Sequence, residues 1–118
     1  MAFRFRNFKV YQDAKVIHKE LTFLLNKFPR TYYYLSDQIK RSSLSVILNI
    51  AEGSSKQSDK DFNRYITIAL GSVDETVASL EIAFDINIIT GEQFNYFEEK
   101  YEIICKQLGG LSKKLKNK

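Results

Sequence analysis

Four stretches of this chain repeat apolar residues at steps of three and four, and none alternates at a step of two. Steps of three and four line one side of an α-helix, whereas a half-buried strand repeats every second residue. In the first stretch the positions are Val10, Ala14, Ile17, Leu21, Leu24 and Phe28. Pro29 is expected to end it, because the residue before a proline is pushed out of the helical region. Ser36 reads as the N-cap of a second helix, with Asp37 in its first turn and Gly53 as its C-terminal stop. The third stretch, Phe62, Ile66, Ala69, Val73, Val77, Leu80 and Phe84, opens on Ser58-x-x-Asp61; the fourth, Phe94, Phe97, Tyr101, Ile104, Leu108, Leu111 and Leu115, opens on the capping box Thr90-x-x-Gln93. Helices over about 9–28, 36–52, 59–87 and 91–115 follow. Short connections make sequential helices antiparallel neighbours, so the expected fold is all-α: one antiparallel up-down four-helix bundle over residues 1–118.

The second helix carries more apolar surface than one bundle can cover. At 100° per residue, Leu35, Ile39, Leu44, Val46, Ile47, Leu48, Ile50 and Ala51 spread over roughly 220° of its circumference, about twice the stripe a surface helix needs. The remaining arc is a polar line of Gln38, Arg41, Ser45, Asn49 and Glu52. Small residues beside it, Ser42, Ser43 and Ser45, allow a second helix to approach closely while polar groups pair across the contact. The plainer reading of this line is a hydrogen-bonded packing seam; a ligand site ranks below it. Gly71 lies mid-helix in the third stretch, where it costs about 1 kcal/mol relative to alanine, so a close approach is expected there. Gly71, Glu75, Ala78 and Ser79, with Ile68 and Ile82, form a second contact face opposite the core. An antiparallel pair folded at Gly53–Ser58 sets Arg41 about level with residue 70, which suggests that Arg41 pairs with Glu75, or with Glu52 of a neighbouring chain. Two helices with two contact faces each point to a homo-oligomer.

The 118 residues carry a formal net charge of +4, unevenly placed. Residues 1–41 and 106–118 are basic, whereas 61–105 hold nine acidic residues against two basic ones. Solvated faces of differing sign explain this plainly. The sharper reading is a basic surface for an anionic polymer, with Arg4, Arg6, Lys9 and Lys15 near the start and Lys106, Lys113, Lys114, Lys116 and Lys118 near the end as candidate phosphate contacts. Tyr32-Tyr33-Tyr34, beside Arg30, Lys40 and Arg41, fits either stacking on unpaired bases or the capping of a bundle end.

Chemistry of other kinds finds little material. His18 and Cys105 are each the only residue of their type, so no zinc spacing and no intramolecular disulfide exist. A nucleophile triad has no histidine except His18, and Gly53-Ser-Ser-Lys56 lacks the spacing of a phosphate loop. Asp59, Asp61, Asp74, Glu75 and Asp85 fall at a helix start or on different faces. No catalytic residue, metal or cofactor is expected. The longest uncharged stretch, Ser42 to Ala51, is far below the ~20 residues of a membrane span, and no secretory leader opens the chain, so a cytoplasmic protein without a membrane partner is expected.

The pattern Leu35-x-x-Gln38-x-x-Arg41-x-x-x-Ser45-x-x-x-Asn49-Ile50-Ala51-Glu52-Gly53, followed by Asp61-Phe62 and Ala69-x-Gly71-Ser72-x-x-Glu75, resembles the small bacterial four-helix-bundle proteins associated with intervening sequences of large-subunit ribosomal RNA genes. The resemblance begins at Phe8-Lys-Val-Tyr11 and covers nearly the whole chain. It implies a left-handed up-down bundle, a ring-shaped homopentamer as in several members, and no established enzymatic activity. Many relatives carry a proline where this chain has Ile47, which implies a straighter second helix here. The chain also resembles the accessory proteins that partner a reverse transcriptase in diversity-generating retroelements, which implies a nucleic-acid-binding ring. The expected function is thus a homo-oligomer that binds RNA, or RNA paired with DNA, through phosphates with little sequence preference. The alternative is a scaffold for a protein partner such as a polymerase.

Overall fold

The computed structural model describes residues 3–117. A short 3₁₀ turn, Arg4–Asn7, leads into α1 (Lys9–Leu25); a second, Arg30–Tyr32, leads into α2 (Tyr33–Ser54); α3 (Asp59–Asp85) and α4 (Gly91–Lys116) follow. Each helix packs on the next and α4 closes back on α1, so the four form an antiparallel bundle with α2 and α3 on one side and α1 and α4 on the other.

The starts of α3 and α4 match the sequence signals. Ser58 Oγ accepts from the Asp61 amide at 3.1 Å, and Thr90 and Gln93 exchange both bonds of a capping box at 3.0 and 2.9 Å. Other ends are shifted. α1 stops at Leu25 rather than at residue 28, because the chain turns inward to bury Phe28 ahead of Pro29. Ser36 is not a cap: α2 has begun at Tyr33, and the buried Ser36 hydroxyl donates one turn back to the Tyr33 carbonyl at 3.1 Å. Gly53 is not a stop either. It remains helical, and a Cβ placed on it would lie 2.7 Å from Tyr65 Cβ, so glycine serves close approach of α3. α3 ends at Asp85, two residues earlier than expected. Asn87 adopts a left-handed φ of 64°, and the amides of Asn87 and Ile88 bond back to Phe84 and Ala83 at 3.0 and 2.8 Å. This is the Schellman arrangement, with asparagine where glycine is commonest.

The core holds Ile17, Leu21, Ile39, Val46, Ile50, Phe62, Ile66, Val73, Leu80, Ile104 and Leu108, all largely removed from water. Leu25 is buried where Leu24 was expected, and Thr76 and Ala83 where Val77 and Phe84 were. An α-helix drifts by about 20° per heptad against a 3.5-residue repeat, so over 27 residues the buried line moves to adjacent positions. α2 passes through buried Ile47 without interruption. Leu44, Leu48, Ile68 and Ile82 remain 42–54% exposed on the α2/α3 side, and Val16, Phe23, Tyr96 and Ile103 remain 42–64% exposed on the α1/α4 side. No helix among the described residues is long and apolar enough to cross a membrane.

Candidate nucleic-acid interface

Antiparallel packing brings the start of the chain, the α2–α3 connection and the end of α4 to the same end of the bundle. Arg4 donates from Nη1 to the Ser54 carbonyl at 3.3 Å, and its guanidinium lies 5.4 and 5.5 Å from the Phe8 and Phe62 rings. Ser112 on α4 donates to Asn63 Oδ1 on α3 at 2.6 Å. Lys9, Lys106 and Lys114 line one groove between α1 and α4, while Lys60 and Lys116 line another between α3 and α4. Basic residues some hundred positions apart in sequence thereby share one surface.

The placement of individual candidates differs. Arg6 rests on aromatic rings, 5.4 Å from Phe3 and 6.0 Å from Phe5. Lys9 is tied to Asp13 at 2.6 Å; that contact and a 2.9 Å bond from Gln107 hold the Asp13 carboxyl below its usual range. Lys113, Lys114 and Lys116 occupy the last turn of α4, where their charge complements the negative end of the helix dipole. Lys15 sits nearly two turns into α1, its ammonium 5.3 Å from the Tyr11 ring. Lys118 lies outside the described residues.

Sequence reasoning missed part of this surface. Lys56 and Arg64 both lie over the Tyr65 ring, at 5.0 and 5.5 Å, and Lys60 adds a further charge. Phe3, Phe5 and Tyr11 form a continuous aromatic ladder, with centroids 5.7 and 4.9 Å apart, capped by Arg6 and Lys15. The signal was available: a chain folded at Gly53–Ser58 must return Lys56 and Lys60 to the end where α1 begins. The Tyr32–Tyr34 run occupies the opposite end. Tyr32 is half-buried and Tyr33 and Tyr34 are exposed, so these rings are remote from the basic surface.

The polar line of α2 faces α3 in part. Ser45 and Ser72 hydroxyls meet at 2.9 Å, Asn49 donates to the Ser45 carbonyl at 2.8 Å, and buried Thr76 donates to Ser42 Oγ at 2.8 Å. Gln38 donates to Glu75 at 2.5 Å. Arg41 makes no ion pair with Glu75; it is exposed on the outer side of α2, as is Glu52. The contacts Gly53–Tyr65, Ser45–Ser72 and Ser42–Thr76 set Arg41 level with the region of Val77 rather than residue 70. Within the subunit nothing approaches Gly71, whose Cβ position meets nothing within 4 Å, so the contact expected there is one for another chain to make, and Ser79 is buried rather than on the outer face.

His18 and Cys105 have structural surroundings. His18 Nδ1 is 2.8 Å from Ser43 Oγ, and burial pushes the imidazole below its ordinary value. Burial, with Asp74 and Glu102 nearby, pushes the Cys105 thiol up. Among the described residues no three His, Cys, Asp or Glu side chains converge as metal ligands.

Comparison with known proteins agrees with this architecture. A crystal structure of a protein of unknown function from the S23 ribosomal protein family of Bacteroides thetaiotaomicron VPI-5482 superposes with a TM-score of 0.82 at 28% identity, covering 88% of this chain and 95% of that one. No curated protein matches the chain. The sequence profile of the 23S rRNA-intervening sequence proteins matches residues 6–110, and the chain belongs to that family.

Proposed function

We propose that this protein is a non-enzymatic, cytoplasmic homo-oligomer that binds RNA, or RNA paired with DNA, through the phosphates. The single observation that carries the reading is the gathering of Arg4, Arg6, Lys9, Lys56, Lys60, Lys106, Lys114 and Lys116 at one end of the bundle. Such a surface attracts an anionic polymer without requiring a base sequence. Assembly is supported by two unlike apolar faces on opposite sides. A face of one kind meeting a face of the other is a heterologous contact, which closes into a ring when the rotation permits. A ring would repeat the basic end around one axis and multiply weak phosphate contacts; the family resemblance sets the expected number at five.

Binding of a labelled single-stranded RNA across a salt series tests the reading. Direct phosphate contact requires affinity to fall steeply, by roughly 0.7 of a log–log unit per contact for a single strand. Affinity independent of salt, or no binding at low salt, refutes it and favours the protein-scaffold alternative. Light scattering tests assembly: a mass several times 13.7 kDa is expected, and a monomer at micromolar concentration overturns the ring.

A further inference from the structure

Beside the basic end lies a mainly apolar groove that the phosphate reading leaves unused. It has a volume of about 670 Å³ and is walled by Phe3, Arg4 and Phe5 on one side and by Leu48, Ala51, Glu52 and Ser54 of α2, with Ser55 just past its end, on the other. That size falls within the range of small-ligand sites, roughly 300–1,000 Å³. We propose that this groove receives one unpaired guanine base of the bound strand; the proposal rests on the nucleic-acid reading and adds base selectivity to it.

Three features specify the occupant. The exposed Phe3 ring and its neighbour Phe5 offer flat faces for stacking, and the Arg6 guanidinium that rests on both supplies a phosphate contact where the strand leaves the groove. The α2 side offers acceptors. Ser55, exposed just past the end of α2, donates its hydroxyl proton to the Glu52 carbonyl at 2.8 Å, which leaves the lone pairs of its oxygen as acceptors. Glu52 adds a carboxylate that takes no hydrogen bond or ion pair among the described residues. The Glu52 carboxylate suits an edge with adjacent donors, and guanine, with N1–H beside its N2 amino group, presents that edge to it, while the Arg4 guanidinium that also lines the groove is engaged by the Ser54 carbonyl. Uracil, cytosine and adenine each set an acceptor beside their donor, which a carboxylate repels.

The test measures anisotropy of labelled oligouridine of about ten nucleotides, and of the same strand with one central guanosine or one central adenosine, titrated with the full chain. The guanosine strand is expected to bind about tenfold tighter, as one bidentate base contact gives. Glu52→Gln should reduce that preference to less than about twofold and leave oligouridine affinity unchanged. Phe3→Ala, at an exposed ring with no core role, should weaken the guanosine strand most. Equal binding of all three strands overturns the slot while the phosphate reading stands, and equal gains for guanosine and adenosine reduce it to stacking and overturn the assignment to guanine. No binding to any strand at low salt removes the nucleic-acid reading itself. A change in oligomer mass on Glu52→Gln assigns the groove to a second copy of the chain and likewise overturns the proposal.

Discussion

Gln38 Nε2 donates to Glu75 Oε1 at 2.5 Å across the α2/α3 boundary, and so takes the carboxylate expected to hold Arg41. Arg41 is left one turn away on the outer side of α2, beside the exposed Leu44 and Leu48. The polar line of α2 thus divides by direction: Gln38, Ser45 and Asn49 face α3, whereas Arg41 and Glu52 face away from the subunit.

Arg41→Ala should therefore leave the fold of the subunit intact. An exposed side chain without an ion pair contributes within about 0.5 kcal/mol to stability. Urea unfolding at a protein concentration too low for assembly is expected to give the same midpoint for both proteins. A marked loss of stability under those conditions would show that Arg41 serves a contact inside the bundle.

Gly53 and Gly71 should respond to alanine with opposite signs. At Gly53 the added methyl lies 2.7 Å from Tyr65 Cβ and 3.3 Å from the Phe62 carbonyl oxygen, neither at the far end of a flexible chain. The two helices must separate, at a cost of about 1–3 kcal/mol. At Gly71 the methyl enters open space, and helix propensity alone should stabilise the subunit by up to about 1 kcal/mol. Thermal and urea unfolding of both variants, again at low concentration, check the pair. A larger oligomer lost specifically on Gly71→Ala would place a neighbouring copy over that glycine.

The contrast between the glycines marks what was legible in the sequence. Periodicity identified four helices and most of their buried positions, because burial of one stripe is written every three or four residues. It did not separate a glycine that ends a helix from one on which another helix presses, since both uses look alike without the partner; Gly53 was read as the first and is the second. Asn87, the true terminator of α3, carries no strong signal, because asparagine enters the left-handed region only where the surrounding turn holds it there. Ser36 misled for a related reason: serine bonds to local backbone both at caps and one turn inside a helix. The basic residues were individually visible. Their convergence was not, because it depends on which ends an up-down bundle brings together, and Lys56 and Arg64 entered only with that topology.

His18 gives the protein a predictable pH response. Burial lowers the folded-state value of the imidazole below its ordinary 6.5, so the unfolded chain binds the proton more readily. Stability is undiminished above about pH 6.5, falls as pH drops through that value, and stops falling once the folded form also protonates. Urea midpoints measured from pH 7.5 to pH 5 should decline, and His18→Gln should flatten the decline. Because the chain has one histidine, and Asp13 already titrates below its ordinary 3.8, a slope that persists in the variant would assign the effect elsewhere.

Within the basic end, Lys106 and Lys114 are the best test of which charges meet phosphate. Both line the α1/α4 groove with Lys9, but Lys9 is already paired with Asp13 at 2.6 Å, whereas Lys106 and Lys114 take part in no ion pair among the described residues. They are exposed, so replacing them removes two charges without opening the core. The double variant Lys106→Gln, Lys114→Gln should keep its helicity, its mass in solution and its melting temperature. Its affinity for single-stranded RNA should drop and its log–log salt slope flatten by about 1.4 units for each subunit engaged, if both lysines displace counterions. Neutralising Lys27 and Arg30, at the opposite end of the bundle, provides the control: equal net charge is removed, so a general effect of charge moves both variants alike. An unaltered slope in the Lys106/Lys114 variant would shift the contact surface to the α2–α3 side, where Lys56, Lys60 and Arg64 supply the remaining charge.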